Sequence, residues 1–183
     1  MSNHSDRDIW HSFKTGDQKA VSFIYRQYYP ALYHYGLQFT PHIPLVEDTI
    51  QDLFADLIKN KKSIGDTDNI LFYLLKSFRR RLIRRLDHSH RFNVPGVMTD
   101  EPPFAVARSV EQDIIRDEEE KQRATILLKA LATLTPRQRE AIYLRYTREL
   151  DYITIAGIMH ISTEACRNLV ARAISHLRQA VAK

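Results

Sequence analysis

Residues 151–183, DYITIAGIMHISTEACRNLVARAISHLRQAVAK, decide how the rest of this chain is read. A short helical pattern from Tyr152 to Met159 is broken at His160, Ile161 and Ser162, and a longer one runs from about Thr163 to the end, which is the outline of a helix-turn-helix. At 100° per residue, Cys166, Leu169, Val170, Ala173, Ile174 and Leu177 fall on one apolar face of the second helix. The opposite face carries Glu164, Arg167, Asn168, Ala171, Arg172, Ser175 and Arg178. A merely solvated helix would alternate its charges; here one acid faces three arginines separated by an amide and small residues. Such a surface suits a groove lined with phosphates and base edges, although a plain helical hairpin has the same periodicity. Ser162 or Thr163 is placed to cap the helix, and its free first-turn amides suit a phosphate. Ala156 sits where crossing helices need a small side chain, and His160 stands in a tight turn that it enters more readily than most residues do.

Working outward, 183 residues allow one ordinary domain or two small ones. Five glycines and 44% hydrophobic residues favour an all-α protein. The single cysteine, Cys166, excludes a disulfide framework or a cysteine metal cluster and fits a reducing compartment. With no signal-like N-terminal run and no stretch approaching a membrane span, a cytoplasmic protein without membrane insertion is expected. Charge is unevenly placed: residues 1–92 hold 14 Lys/Arg against 10 Asp/Glu, residues 93–120 hold 2 against 8, and residues 121–183 hold 11 against 4. Two basic units flanking an acidic connector make each unit a candidate for a polyanion.

The N-terminal unit reads as two helices broken near Gly16-Asp17, followed by an aromatic series from Phe23 to Phe39 that crosses Pro30 and is expected to be mostly core. LVEDTIQDLFADLIKN, 45–60, is amphipathic, with Val46, Ile50, Leu53, Phe54, Leu57 and Ile58 on one face and Glu47, Asp48, Gln51, Asp52 and Asp56 on the other. The acidic face is either a docking surface for a basic partner or an ordinary solvated one. No His or Gly-rich loop supports catalysis there. KKSIGDTDN reads as a loop, and ILFYLLKSFRRRLIRRL as a helix in which six of the ten residues 76–85 are basic. Lys76, Arg79, Arg80, Arg84 and Arg81 are expected on its open side. Like charges on one face repel unless a polyanion neutralises them; nucleic acid and an anionic membrane surface compete for that role.

From His88 to about Gln112 the pattern dissolves into a Pro- and acid-containing linker, in which His88 and His90 are read as surface residues and not as a metal site. Helix is expected to resume near Val110. Thr135-Pro136 opens another, RQREAIYLRY, expected to bury Ile142, Leu144, Tyr143 and Tyr146. The organisation predicted is all-α: residues 1–92, a flexible acidic linker over 93–115, and a DNA-binding unit over 116–183.

LTPRQREAIYLRY followed by a helix-turn-helix resembles the fourth region of bacterial sigma factors. LVEDTIQDLFADLI resembles their second region, and GDQKAVSFIYRQYYPALYHYG resembles the start of the compact extracytoplasmic-function (ECF) group, which keeps only these two domains. The likeness spans about Asp8 to Gln179, in the family's order. It implies that Glu47, Asp48, Gln51 and Asp52 dock on the clamp helices of core RNA polymerase. It implies that the loop from Lys61 through Lys62 to Asn69, with Tyr73, Lys76, Arg79, Arg80 and Arg84, melts the downstream promoter element and captures a flipped base, with Tyr73 and Phe72 offering rings to stack on. It also implies that Thr163, Glu164, Arg167, Asn168, Ala171, Arg172 and Ser175 face the upstream element of promoter DNA. A membrane anti-sigma protein is a further partner common in the family. Neither a cofactor nor a catalytic residue is expected. Arg80 departs from the family, which often has Asn there, as does Pro44-Leu45 before the acidic helix; Ala171 is small where some relatives are large. The competing reading is a conventional helix-turn-helix regulator that binds DNA independently of polymerase. A nucleic-acid enzyme is disfavoured, since the chain has no Walker loop, metal-ligand spacing or nucleophile constellation.

Overall fold

The computed structural model describes residues 5–93, 102–105 and 118–181, and every regular element among them is helical. The chain divides into two compact units. The first contains α1 (Asp6–Thr15), α2 (Gln18–Leu37), α3 (Ile43–Lys59) and α4 (Ile70–Asn93); the second contains α5 (Glu118–Ala132), α6 (Pro136–Ile142), α7 (Tyr152–Met159) and α8 (Thr163–Val181).

In the first unit, α1 opens on a capping box between Ser5 and Asp8 and stops at Gly16, whose φ of 96° closes the helix in the left-handed region. Trp10 and Phe13 are buried and stack at 5.2 Å. α2 continues through Pro30 to Leu37. Its aromatic series is only partly core: Leu32 and Tyr35 are buried, but Phe23 and Tyr25 are exposed, and Tyr25, Tyr29 and Tyr33 form a ladder with centroids 5.4 and 5.9 Å apart. Gly36 marks a close crossing, because a Cβ there would lie 2.6 Å from Val46 Cγ1 and 2.9 Å from Phe78 Cζ. α3 buries Val46, Ile50, Leu53, Phe54 and Leu57 as its pattern predicts, but Ile58, expected on the same face, is exposed. The reason is angular: Ile58 lies at the stripe's edge, 100° beyond Leu57. α4 extends to Asn93, so His88 and His90 stand on helical backbone and not in a loop. Ile70, Leu74, Leu75, Phe78, Leu82 and Leu86 are its buried residues of helical spacing.

In the second unit, the resumption of helix expected near Val110 falls outside the described residues; α5 is described from Glu118. Within the span expected to link the units, Pro102–Ala105 is described: Arg139 Nε donates to the Phe104 carbonyl at 2.6 Å, and the Phe104 ring meets Tyr143 edge-on at 5.8 Å. Thr135 and Gln138 form the capping box of α6, with Pro136 in its first turn. α6 then widens into a π-helical turn, Tyr143–Thr147. One expectation is corrected here: Leu144 is buried, but Tyr146 is 56% exposed, because it lies two residues further on, about half a turn round and opposite the buried side. Gln138 and Glu140 are buried in the same segment. Asp151 caps α7, and His160 closes it at φ 55°, ψ 47°. Ala156 is buried where α7 meets α8.

Candidate promoter and polymerase interfaces

The surface of α8 follows its sequence pattern. Cys166, Val170 and Ala173 are buried, while Glu164, Arg167, Asn168, Ala171, Arg172, Ser175 and Arg178 are exposed and Thr163 is half-buried in the first turn. Ser162 Oγ accepts from Ala165 N at 3.0 Å, so Ser162 is the cap and Thr163 the first helical residue. Burial pushes the Cys166 thiol above its ordinary pKa, in keeping with a packing residue. Arg145 and Arg167 lie 5.0 and 6.0 Å from the centroid of Tyr152, so the first arginine of the α8 face rests against a ring at the start of α7. Arg172 Nε donates to the Asn168 carbonyl at 3.3 Å, which lays its guanidinium along the exposed face. The helix thus presents amide and guanidinium donors, the groups that contact phosphates and the acceptor edges of guanine and adenine.

On α4 the basic residues sort onto different stripes. Lys76, Arg80 and Arg84, four residues apart, form the open one; Arg80 and Arg84 are exposed, and Lys76 Nζ sits 5.5 Å from the Phe72 centroid. Arg79, expected beside them, is 8% exposed. It stands four residues after Leu75 and three before Leu82, which places it on the core stripe. Arg81 and Arg85 form a third stripe turned toward α3: Arg81 Nη2 lies 2.7 Å from Asp56 Oδ2, Arg85 pairs with Asp52, and Arg85 Nη1 donates to Thr49 Oγ1 at 3.3 Å. Tyr73 is half-buried with its ring 4.9 Å from Trp10, so it supports the loop from inside and is not an open stacking platform. Asn69 is the cap of α4, its Oδ1 accepting from Phe72 N at 2.9 Å. Lys61 is half-buried with its ammonium beside Gly16, while Lys62 is exposed.

The acidic face of α3 is partly occupied within the chain. Asp48, Gln51 and Asp52 are exposed. Glu47 accepts a hydrogen bond from Tyr29, whose hydroxyl pKa is raised first by burial and then by the Glu47 charge. Asp52 and Asp56 pair with α4 as above, leaving Asp48 and Gln51 as the exposed centre of the face. These pairings escaped the reading of single segments, yet a signal existed: acids at 52 and 56 match arginines at 81 and 85 in spacing. Among the described residues no His/Cys/Asp/Glu group is arranged to hold a metal ion, and no described helix is long and apolar enough to cross a membrane.

Comparison with known proteins agrees with this layout. Residues 130–179, from the end of α5 through most of α8, match the family described as Sigma-70, region 4. The RNA polymerase sigma factor YlaC of Bacillus subtilis (strain 168) is 24% identical over 173 residues, 90% of this chain and 93% of that one. Among solved structures, CnrH in complex with the cytosolic domain of CnrY shares the fold with a TM-score of 0.64 at 17% identity, over 96% of both chains. The sigma factor RpoE of Bartonella quintana, in complex with the anti-sigma factor NepR, does so at 0.59 and 20% identity, over 92% of this chain and 97% of that one. Residues 130–179 are thus a sigma-70 region 4 segment, and the chain as a whole is similar along nearly its whole length to an RNA polymerase sigma factor and shares the fold of a solved sigma factor.

Proposed function

We propose that this chain is an ECF-type sigma factor: it binds core RNA polymerase through the acidic face of α3 around Asp48 and Gln51, reads the upstream promoter element with α8, and holds the melted strand with the 61–69 loop and the Lys76–Arg80–Arg84 stripe of α4. The observation that carries this reading is the α8 face, on which Glu164, Arg167, Asn168, Ala171, Arg172 and Ser175 lie outward over a fully buried seam at Cys166, Val170 and Ala173. Free cations on both units supply sequence-independent attraction to DNA phosphates, and the α8 side chains add base-edge selection. The protein acts as a dissociable initiation subunit: the polymerase performs the chemistry, and this chain directs where it starts. An anti-sigma protein is a further partner, by likeness to the solved relative held by NepR. The working compartment is the cytoplasm.

The test is co-purification with core RNA polymerase followed by transcription from a library of genomic promoter fragments. New start sites that require the protein and share a two-part upstream motif are expected. Discrete, tight DNA binding by the free protein as a dimer on a palindrome, with no polymerase complex, would replace this reading with a conventional regulator.

A further inference from the structure

One stripe of α1 runs the length of the 61–69 loop. Asp6, Trp10 and Lys14 are spaced by four residues, so they line up along the helix. Asp6 Oδ2 accepts from Ile70 N at 2.8 Å, just where the loop ends and α4 begins. Trp10 Nε1 donates to the Gly65 carbonyl at 2.9 Å, in the middle of the loop, and Lys14 Nζ lies 2.5 Å from Asp66 Oδ1. At the loop's start the Lys61 ammonium folds over Gly16, the C-terminal cap of α1, where the helix dipole favours a cation; a Cβ on Gly16 would lie 2.7 Å from Lys61 Nζ. The stripe is itself fixed from behind, since Tyr28 Oη donates to Asp6 Oδ1 at 3.1 Å and the Trp10 ring is buried against Phe13 and Tyr73. The three hydrogen bonds join residues 52 to 64 positions apart and fix the loop's middle and end, while Lys61 beside Gly16 holds its start. Toward the other side the loop is open: a Cβ built on Gly65 meets nothing within 4 Å.

We propose that α1 is a clasp that sets the conformation of the 61–69 loop before DNA arrives, making Trp10 and Lys14 positioning residues for base selection at the melted promoter element. The inference rests on the reading of that loop given under Proposed function. A loop of this length held only at its ends would have to be ordered by the strand it binds, and that ordering cost would fall on cognate and wrong bases alike. A loop fixed in advance tolerates one geometry of flipped base and rejects others. Trp10 supplies a rigid donor from the core to the loop backbone, and Lys14 fixes the side chain next to it. Neither reaches outward to the strand.

The test uses holoenzyme assembled from core polymerase and the full-length protein, transcribing a promoter library randomised across the melted element. Lys14→Ala and Trp10→Phe are expected to lower discrimination between the best and the single-mismatched elements about three- to tenfold each, the range expected of one lost anchoring hydrogen bond. Affinity for polymerase and preference at the upstream element stay unchanged, and Lys14→Arg restores the selectivity. A loop lengthened by two glycines after Lys62 serves as the reference. If it erases discrimination while Lys14→Ala and Trp10→Phe leave it intact, the clasp is wrong and the loop reading stands. If the lengthened loop selects as the native one does, the loop reading fails and the clasp with it. Should Trp10→Phe fail to fold, the partly exposed Lys14–Asp66 pair, which contributes little stability, decides the matter alone.

Discussion

Replacing Gly36 by alanine tests the packing of the first unit more sharply than any truncation. The added methyl would sit 2.6 Å from Val46 Cγ1 and 2.9 Å from Phe78 Cζ, where carbon atoms prefer about 3.5–4.0 Å. Roughly 1 Å of separation must therefore come from α3 and α4. Val46 and Phe78 are both fully buried, so neither has open space to move into. Overpacking of this kind costs about 1–3 kcal/mol. Alanine recovers roughly 1 kcal/mol of helix propensity over glycine, which leaves a net loss of up to about 2 kcal/mol. Trp10 is the only tryptophan and is buried in this unit, so its fluorescence during urea unfolding follows the first unit specifically. The midpoint is expected to fall by several tenths of a molar to about 1 M, given slopes of about 1–3 kcal/mol per molar. Adding Val46→Ala to the Gly36→Ala protein should cost less than the same truncation costs alone, because it removes the nearest clashing atom. A midpoint that rises in Gly36→Ala, or strict additivity of the pair, would refute the close crossing.

Other expectations concern the interfaces and their supports. Arg172→Ala should weaken upstream-element recognition by about 1–3 kcal/mol in promoter-binding assays of holoenzyme, with polymerase affinity unchanged; loss of both would indicate misfolding. Asp48→Ala should reduce polymerase affinity in a pull-down titration without changing stability, whereas Asp52→Ala should also free Arg85 and so alter α4; affinity unchanged from the native protein in both variants would remove α3 from docking. Asp151 accepts from Thr154 N at 2.7 Å, and that backbone bond holds its carboxyl below the ordinary aspartate pKa. Because the folded value is the lower one, the cap's stabilisation is complete above the unfolded aspartate value of about 3.9 and is lost as pH falls through the folded value. Asp151→Asn should retain the cap and flatten this acid dependence in thermal melts, and Asp151→Ala should cost about 1 kcal/mol at neutral pH. His160→Gly should raise the melting temperature of the second unit, since a residue with a Cβ at φ 55° gives up about 1 kcal/mol that glycine does not; a fall would mean that the His160 side chain contributes more than its backbone costs.

The legible parts of this protein are those fixed by local periodicity. The stripes of α3 and α8, the caps at Thr135 and Ser162 and the turn at His160 each depend on residues within one or two turns of one another. Arg79 was misread because charge was weighed before angle: its position between Leu75 and Leu82 already placed it in the core stripe. Tyr146 is a case of the same kind: two residues after Leu144, it lies about half a turn round, opposite the buried side, whereas the π-turn itself leaves no mark in the pattern. The Trp10–Gly65 and Lys14–Asp66 contacts link helix to loop across more than fifty residues and leave no pattern in either segment alone. The Asp52–Arg85 and Asp56–Arg81 pairs lie between these cases, since their matching spacing is visible only when two helices are compared.

If the 76–80–84 stripe holds the melted strand as proposed, the three stripes of α4 also set how this protein can change its promoter over generations. Positions 76, 80 and 84 answer to neither the core nor α3, so they are free to drift in step with DNA. Positions 81 and 85 can change only together with 56 and 52, and a charge lost on one helix should be followed by one lost on the other. Position 79 stands on the core stripe and tolerates little change. Substitutions at any of these leave the others' angles untouched, but inserting a single residue before Lys76 rotates the stripes by about 100° against their partners at once. Lineages of this protein should therefore acquire new promoter preference on α4 by point substitution and almost never by a change in its length.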